Sequence, residues 1–491
     1  MNKYLSIDIG STCCKCQLFD KNGHILEYIS QEYDFFYNDN QRYVNIEKIK
    51  EIVFDMISTI AKKHPISSIS FSTIGESFVL LDNDDNILFN PMIYSDFRGV
   101  EQAKYIESKF DNQYLIKTTG TLPHAMFSIS KLLYIKQEYP DIYKKAKKVM
   151  LLLDYLGYIF TGKRVIDYSL ASRTGIFNIN TLEFDKDMCD KLRVDINMFS
   201  SPKKAGFDLG FISETIKKQL GINYDIKVIL GSHDQLCNML GSGIIRPGGA
   251  TDGMGTVECV ALVFTKNANF NRLGLLGLPI VPFLGNDNYC TYFVNYASNS
   301  ITNWYKNEIA HNYQADNDNF FAYMEQKIDD NINDIYVLPY FSGCVVPYND
   351  VNAKGVIINL TTTTKDFELY KSILEGMTME MYLELDIGKK CGIKIKNIIA
   401  TGGGSLSKKR LQMKADMQNV KVSTLKSQEG GLCGLAVIQA CALKDYDGLE
   451  ETIKHFVKIK DVYKPNREKH KLLMKKYKKF IKIYKHVKEL Y

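Results

Sequence analysis

The chain begins with short apolar runs separated by polar turns, a pattern that is typical of β-strands. The pattern predicts three strands, at residues 3–9, 13–20 and 24–30. A helix is predicted next, because Ile46, Ile49, Val53, Met56, Ile57 and Ile60 share one helical face. Further strands are predicted at residues 66–72, 78–82 and 227–230. Strands and helices in this order indicate an α/β fold.

A similar opening recurs near residue 250. The segment GATDGMG at residues 249–255 precedes Thr256 and an apolar run at residues 257–264, so its Asp-x-Gly and Gly-Thr are expected between two strands. A helix at residues 367–381 and a strand at residues 395–400 then follow. This internal duplication predicts two similar α/β domains, residues 1–245 and 246–491, with a cleft between them.

Composition agrees with a cytoplasmic globular protein. The chain has 491 residues, of which 45% are hydrophobic and 24% charged. The longest apolar stretch, at residues 150–160, contains Asp154 and is far shorter than the ~20 residues of a membrane span. The N-terminus has no signal-peptide pattern. The 11 cysteines are scattered, and even the close group Cys13, Cys14 and Cys16 lacks a second pair at zinc spacing, so we expect reduced thiols.

The net charge of +6 comes from one segment. Residues 466–491 hold ten lysines and arginines and two acidic residues, so this segment alone carries more positive charge than the whole chain. Its apolar residues, Leu473, Tyr477, Phe480, Tyr484, Val487 and Tyr491, recur at helical spacing. We expect a helix docked on the protein body, with neither nucleic acid nor a membrane as partner. Binding of RNA or a membrane surface is the alternative.

Two glycine-containing loops are suited to binding phosphate. Asp8-x-Gly10-Ser11-Thr12 is expected to turn between two strands, where backbone amides and hydroxyls can contact phosphate oxygens. Asp8 is placed to hold Mg²⁺ through water. Residues 253–256, with Gly255 and Thr256, form the second such loop. An ordinary hairpin turn is the alternative for each loop taken alone.

Two further stretches carry candidate chemistry. The glycines Gly402-Gly403-Gly404 follow a strand, and they would allow a flat base and ribose to approach the backbone. Asp234 follows another predicted strand in the stretch GSHDQ, where it can act as general base for a substrate hydroxyl. His233 could also be the base. We favour Asp234, because phosphoryl transfer needs positioning and a carboxylate acceptor.

Taken together, these motifs resemble the FGGY family of carbohydrate kinases, of the actin/hexokinase/heat-shock-ATPase superfold. Residues 8–15 resemble DxGTxSxK, with Ser11 and Cys13 in place of Thr and Ser. Residues 231–243 resemble GxxDxxxxxxGxG, and residues 401–416 resemble GGGxxSxxxxQxxAD. The stretches at residues 339–360 and 374–376 and the Gly-Thr pair at residues 255–256 also match, in the family's order. The resemblance implies two ribonuclease-H-like domains, each a mixed sheet flanked by helices.

The resemblance also implies roles for single residues. Asp234 would be the catalytic base and Asp8 would lie near Mg²⁺. The residues implied to contact ATP are Gly10, Ser11, Thr12, Gly255, Thr256, Asn299, Asn303, Gly403 and Ser407. The N-terminal domain would bind the sugar and the first phosphate loop, and the C-terminal domain would bind adenosine.

The sugar end departs from the relatives. The stretch TIGESFVL at residues 73–80 lacks the Met-His pair of xylulokinases, and Gly75 replaces the Arg that precedes Glu in glycerol kinases. Met126 stands where glycerol kinases have Tyr. The candidate sugar-binding residues are Glu76, Asp96, Arg98, Asp234 and Gln235. A solvent-facing Glu76 and a surface ion pair between Asp96 and Arg98 are the alternatives.

The sequence therefore predicts an ATP-dependent, Mg²⁺-requiring kinase for the primary hydroxyl of a ketopentose, a deoxyketohexose or a polyol. A non-catalytic member of the superfold that uses ATP to change shape is the alternative. The sequence leaves a monomer and a homodimer both open.

Overall fold

The computed structural model describes residues 1–38, 41–285, 287–310, 320–427 and 429–491. In its first half the strands are β1 (Lys3–Ile9), β2 (Cys13–Asp20), β3 (Ile25–Glu32), β4 (Phe36–Asn38), β5 (Gln41–Tyr43), β6 (Ser68–Thr73), β7 (Phe78–Leu81), β8 (Ile87–Phe89), β9 (Lys148–Leu151), β10 (Val165–Asp167), β11 (Phe177–Asn178), β12 (Glu183–Phe184), β13 (Ser201–Lys203), β14 (Asp208–Phe211) and β15 (Lys227–His233). The later strands are β16 (Gly249–Met254), β17 (Glu258–Thr265), β18 (Val281–Pro282), β19 (Asn288–Asn295), β20 (Tyr336–Leu338), β21 (Val356–Ile358), β22 (Asn397–Thr401), β23 (Lys421–Leu425) and β24 (Ile459–Tyr463).

Helices alternate with these strands along the whole chain. The first ten are α1 (Ile46–Ala61), α2 (Val100–Lys109), α3 (Asn112–Thr119), α4 (Ser128–Glu138), α5 (Pro140–Lys145), α6 (Leu152–Thr161), α7 (Tyr168–Ser172), α8 (Lys186–Leu192), α9 (Glu214–Leu220) and α10 (Asp234–Gly241). The remaining α-helices are α11 (Phe270–Leu275), α12 (Asn299–Trp304), α13 (Phe320–Lys327), α14 (Asp366–Lys390), α15 (Lys408–Gln418), α16 (Gly430–Ala442), α17 (Gly448–Phe456) and α18 (Arg467–Val487).

The chain divides into two compact units. Unit 1 consists of Met1–Ile245, Phe270–Cys290 and Glu429–Lys458. Unit 2 consists of Arg246–Asn269, Thr291–Gln428 and Ile459–Tyr491. The sequence analysis gives one break after residue 245, whereas two later segments pack within unit 1. The hydrophobic periodicity of these two segments does not differ from that of the segments around them, so the sequence does not indicate that they pack within unit 1.

Unit 1 is built on a six-stranded mixed sheet in the order β14-β15-β6-β1-β2-β3. β2 and β3 continue from β1 as antiparallel neighbours, while β6 and β15 run parallel to β1. Tyr4 and Ser68 share the face that packs against α16, and Phe71 points to the other face, where its ring lies 5.4 Å from that of Phe160 in α6. Both faces are therefore covered by helices, as the fold class requires.

Unit 2 repeats this arrangement. Its strands follow the order β19-β17-β16-β22-β23-β24, with β16 and β17 antiparallel, β22 and β23 parallel to β16, and β24 antiparallel at the edge. Strand for strand this matches the order in unit 1. The predicted duplication and the two ribonuclease-H-like folds are confirmed.

The predicted elements differ from the structure mainly at their ends. The predicted strand at residues 66–72 is observed at Ser68–Thr73, and the one at residues 227–230 continues to His233. The stretch at residues 249–255 is mostly strand, because Gly253 pairs with both Cys259 and Thr401. Only the turn after Met254 forms a loop. The glycines misled the prediction, since sheet pairing on both sides holds them extended.

The C-terminal helix α18 is docked, as predicted. Leu473, Tyr477, Phe480 and Tyr484 are buried against a cluster that includes Tyr340. The Tyr484 ring stacks on Tyr348 at 4.0 Å, and the Lys476 ammonium donates to Glu375 at 2.5 Å. The lysines on the opposite face are exposed. Among the described residues, none of the helices combines the length and apolarity needed to cross a membrane.

Candidate functional site

The carboxyl ends of three parallel strands meet at one edge of the unit 1 sheet. Ile9 at the end of β1 is aligned with Thr73 at the end of β6, and Thr73 is aligned with His233 at the end of β15. Asp8 and Asp234 therefore come to the same edge although 226 positions separate them in the sequence. Ligands of open α/β sheets bind at this edge.

Asp8 lies inside this edge and accepts a hydrogen bond from the Ser72 hydroxyl. Loss of hydration raises the pKa of Asp8 to about 7, and the negative charge of Asp234 raises it further against the opposing effects of Ser72 and Lys15. Asp234 is therefore close enough to Asp8 for its charge to affect the pKa of that carboxyl group.

Asp234 begins α10 directly after the buried strand β15. Burial raises the pKa of its carboxyl group to about 7, and the hydrogen bond from the Gln235 backbone N–H, 2.5 Å from Oδ1, opposes the shift. The side chain retains 31% exposure, so a substrate hydroxyl can reach it. A carboxylate with a pKa near neutrality is well matched to accept a proton.

His233 fits a base less well. Burial lowers the pKa of its imidazole to about 4, and the positive charge of the nearby Arg173 also lowers it. Its Nε2 lies 3.3 Å from Asp234 Oδ1, and its backbone N–H donates to the Ser169 hydroxyl at 3.1 Å. The ring is therefore neutral at neutral pH and packs beside Asp234, which fits a structural role.

Glu76 occupies the loop between β6 and β7 and is 3% exposed. Its carboxylate accepts from Arg173 Nε at 2.6 Å and from Arg173 Nη2. The alternative of a solvent-facing Glu76 is wrong. Its φ of +62° lies in the left-handed region, which costs a non-glycine residue energy and is concentrated at functional sites. Gly75 gives the room for this turn, because a Cβ there would lie 3.2 Å from both Arg173 Cγ and His233 Nε2.

Asp96 and Arg98 form a tight ion pair with each other. Arg98 Nη2 lies 2.6 Å from Asp96, and Arg98 Nη1 donates to the hydroxyl of Tyr43 at 2.7 Å and to Gln41. The side chains are only 14% and 11% exposed, so this is not the surface pair considered above. The N–H groups of Arg98 donate to neighbours within the fold, which supports a structural role for the pair.

The first phosphate loop is a tight turn between β1 and β2. The Gly10 N–H donates to Cys13 O at 3.0 Å, and the Tyr33 hydroxyl donates to Gly10 O at 2.5 Å. Ser11 is half-buried and Thr12 is exposed, so both hydroxyls are open to a ligand. Close by, Lys15 pairs with Glu429 at 3.0 Å, at the start of α16.

The second phosphate loop lies in unit 2, between β16 and β17. The N–H of Ser298 donates to Thr256 O at 3.1 Å, and the N–H of Asn299 donates to Gly255 O at 3.2 Å. The start of α12 therefore holds the backbone of this loop.

A cavity of about 370 Å³ lies in the same unit. Four of the residues predicted to contact the nucleotide line it, namely Asn299, Asn303, Gly403 and Ser407. Phe321, Tyr370 and Leu374 supply apolar walls. A flat base suits such a pocket, with apolar walls and a few polar groups that fix its orientation. A Cβ at Gly404 would lie 2.8 Å from Met254 Cβ, which is fixed to the backbone of β16, so a larger residue there would have to displace its neighbours.

Family models match both parts of the chain. The N-terminal domain of the FGGY family of carbohydrate kinases matches residues 3–241, and the C-terminal domain matches residues 254–443. The chain belongs to the FGGY family of carbohydrate kinases. This FGGY kinase is thus a phosphotransferase that acts on sugar hydroxyls, with ATP as the phosphate donor that the family implies.

Relatives with different names share the same percentage of identical residues with this FGGY kinase. It is 26% identical to a xylulose kinase of Staphylococcus epidermidis, over 99% of this chain and 97% of that one. It is also 26% identical to a gluconokinase of Bacillus subtilis, over 91% of this chain and 90% of that one. A glycerol kinase of Agathobacter rectalis is again 26% identical, over 97% and 98%.

Solved structures share the fold. A ligand-bound xylulose kinase from Lactobacillus acidophilus matches with a TM-score of 0.89 at 24% identity, over 99% of this chain and 98% of that one. Plasmodium falciparum glycerol kinase with ADP matches with a TM-score of 0.87 at 20% identity, over 98% of each chain.

The structure adds residues that the sequence motifs did not indicate. Arg173 comes from the end of α7 and meets Glu76 only through the fold. In unit 2, Arg410 and Lys414 extend from α15 to the buried carboxylates Asp252 and Glu258. The spacing of four between Arg410 and Lys414 places both on one helical face, which is the only local signal for this contact.

Proposed function

We propose that this FGGY kinase transfers the γ-phosphate of ATP to a primary hydroxyl of a small sugar or polyol, with Asp234 as general base. The observation that carries the proposal is the position of Asp234 directly after β15, at the sheet edge where β1 and β6 also end, with a pKa of about 7. In the reaction the substrate O–H proton passes to the Asp234 carboxylate. The hydroxyl oxygen then bonds to the γ-phosphorus, the bond to the β-phosphate oxygen breaks, and ADP leaves.

Asp8 is proposed as the group that holds Mg²⁺, through water. The raised pKa values of Asp8 and Asp234 support the proposal, because a divalent cation would favour the ionised form of each carboxyl group. When bound with the nucleotide, Mg²⁺ would neutralise charge on the phosphates. Gly10, Ser11 and Thr12 in unit 1 and Gly255 and Thr256 in unit 2 are the proposed phosphate contacts.

The unit 2 cavity is the proposed adenosine site. Asn299, Asn303, Gly403 and Ser407 would face the nucleoside, and the aromatic ring of Tyr370 and the side chain of Leu374 would contact the base. Glycine backbone at the mouth permits close approach of a planar ligand.

Glu76 is the proposed sugar ligand in the N-terminal part, with Asp234 and Gln235 beside it. Asp96 and Arg98 remain candidate sugar ligands. Their hydrogen bonds to each other and to neighbours within the fold make this role less well supported than that of Glu76. The names of the relatives do not select an acceptor, since a xylulose kinase, a gluconokinase and a glycerol kinase each share 26% identity with this chain.

A panel of acceptors tests the proposal. ADP release is measured with ATP and Mg²⁺ in the presence of ketopentoses, deoxyketohexoses, glycerol and other polyols, and gluconate. We expect one class to stimulate release strongly and to yield a phosphorylated product, and we expect Asp234→Asn to abolish the stimulation. Stimulation that persists in the Asp234→Asn variant would remove Asp234 as base, and a panel without any stimulation would remove these acceptor classes.

A further inference from the structure

Four charged side chains lie buried between the second phosphate loop and the nucleotide cavity. They are Asp252, Glu258, Arg410 and Lys414, and we refer to them as the charge network. None is more than 3% exposed. The Lys414 ammonium donates to Asp252 Oδ2 at 2.6 Å and also to Glu258, and Arg410 Nη2 donates to Glu258 Oε2 at 2.6 Å.

The two carboxylates flank the phosphate loop in the sequence and in the sheet. Asp252 lies on β16 before the turn, and Glu258 begins β17 after it, with Met254 and Glu258 directly paired. Lys414 therefore ties the two strands together beneath Gly255 and Thr256.

Arg410 connects the same loop to the cavity. Its Nη2 also donates to the Ser298 hydroxyl at 2.7 Å, and its Nη1 donates to Asn299 Oδ1 at 2.8 Å. Asn299 in turn donates through Nδ2 to Met254 O at 3.0 Å. Arg410 and Asn299 both line the cavity, so one guanidinium group contacts the cavity wall, α12 and the strand after the loop.

The contacts determine which way the loop amides point. Ser298 and Asn299 bind the carbonyl oxygens of Thr256 and Gly255. Because the C=O and N–H of a trans peptide point in opposite directions, the amides of Thr256 and Val257 are turned away from α12. Amides presented on one side of a loop are suited to bind phosphate oxygens.

Stability alone does not account for the charge network. Two buried carboxylates and two buried cations require desolvation, and apolar residues of similar volume are often as stabilising. A network of fixed geometry is better explained by the orientation that it imposes on the loop.

We propose that the charge network is a positioning device that fixes the second phosphate loop relative to the nucleoside pocket, so that Asp252, Glu258, Arg410 and Lys414 set the affinity for the phosphates of the nucleotide. The inference rests on the proposed function, in which the cavity takes adenosine and the loop takes phosphate. It assigns a role to four residues that touch neither the acceptor sugar nor the transferred phosphoryl group.

The test compares ADP with adenosine, since only ADP uses the phosphate loop. Asp252→Asn/Lys414→Met removes one charge of each sign and leaves the Arg410–Glu258 pair in place. We expect its Kd for ADP, measured by calorimetry, to rise at least tenfold, while its Kd for adenosine stays within twofold of wild type. We also expect kcat to fall at least tenfold with the sugar KM unchanged.

Two further variants keep the test decisive. Asp386→Asn/Lys390→Met removes a partly exposed ion pair of the same charges from α14, and we expect unchanged affinities. Ser298→Ala is milder and removes one hydrogen-bond acceptor of Arg410. If the double variant in the network does not fold, Ser298→Ala must still raise the ratio of the ADP and adenosine Kd values at least threefold.

The inference would be overturned if folded Asp252→Asn/Lys414→Met or Ser298→Ala protein kept the wild-type ratio of the ADP and adenosine Kd values. Equal losses of affinity for ADP and adenosine in these variants would overturn it as well. Calorimetry needs no acceptor, so these results are independent of the sugar. A wild-type protein that binds ADP but phosphorylates no acceptor would contradict the proposed reaction. It would not contradict the role proposed for the charge network. A wild-type protein that binds neither ADP nor adenosine would overturn both.

Discussion

Arg173 and Glu76 form a buried ion pair across 97 positions of sequence, with Nε 2.6 Å from Oε1 and the side chains only 9% and 4% exposed. The Glu76 backbone adopts φ +62° to make this contact. The Arg173 guanidinium also faces the Phe127 ring at 5.1 Å. The pair fixes the carboxylate near Asp234, whose pKa responds to both residues.

We therefore expect Glu76→Ala to raise the sugar KM far more than the ATP KM. A carboxylate fixed by one arginine can still accept sugar hydroxyls, and losing such a charged hydrogen bond costs about 1.5–3 kcal/mol, or roughly tenfold or more in KM. Steady-state kinetics with saturating ATP and varied sugar measures the effect.

Because Glu76→Ala also leaves Arg173 unpaired in a buried position, Glu76→Gln serves as the milder variant. It keeps an acceptor oxygen for Arg173, and we expect a smaller rise in sugar KM. If both variants keep both KM values within twofold of wild type, Glu76 is not a sugar ligand.

Asp234→Asn should abolish phosphorylation and leave ATP binding largely intact. The amide cannot accept the hydroxyl proton, while the phosphate loops and the cavity are unaltered. We expect turnover to fall on the order of 10²–10⁴-fold, the usual contribution of a general base. Calorimetry with ATP analogues checks binding. Near-normal turnover would exclude Asp234 from the mechanism.

Much of the fold could be predicted because its signals are local. The apolar face of α1 and the seam of α18 are visible in the sequence, and the turn that contains Gly10 occurs between the two strands where its motif predicts it. The ion pairs are different. Arg173 and Glu76, or Lys414 and Asp252, are far apart in the sequence, and their contact depends on how sheets and helices pack. Their residue types are equally common on solvated surfaces, so nothing local distinguishes them.

The packing of residues 429–458 within unit 1 also depends on the fold. Gly241 and Gly434 show why: a Cβ on Gly434 would lie 1.9 Å from Cys237 O, so α10 and α16 approach closely only because the sequence has glycine at their contact. A single glycine in a helical sequence does not by itself indicate a close contact with another helix. Its role as the partner of a helix almost 200 positions away needs the structure.

Activity should decline as the pH falls below neutrality. The pKa of Asp234 is raised to about 7, so below this pH the carboxyl group binds a proton and cannot accept another. We expect kcat/KM for the sugar to follow the ionised fraction and to level off above pH 8. Asp8 has a pKa of about 7 as well, so the apparent value belongs to the pair.

A substitution at His233 is the control for this profile. Because the pKa of His233 is lowered to about 4, the imidazole does not titrate in this range, and His233→Asn should keep the acidic limb. Loss of the limb in this variant would assign it to His233 instead of Asp234.

Removal of the C-terminal helix after Pro465 should lower the melting temperature without changing sugar preference. Leu473, Tyr477, Phe480 and Tyr484 are buried against unit 2, and each large buried side chain contributes ~1.5–3 kcal/mol. None of them lines the unit 2 cavity. Differential scanning calorimetry and the acceptor panel measure the two effects.

Point variants separate packing from charge on this helix. Phe480→Ala should cost about 3–5 kcal/mol of unfolding free energy, as for other buried phenylalanines, because its side chain is 1% exposed. Lys482→Ala on the exposed face should change stability by less than about 0.5 kcal/mol. If truncation and Phe480→Ala both leave the melting temperature unchanged, the helix is undocked in solution. Its exposed lysines would then favour the alternative of a membrane or nucleic-acid surface, which retention on heparin would test.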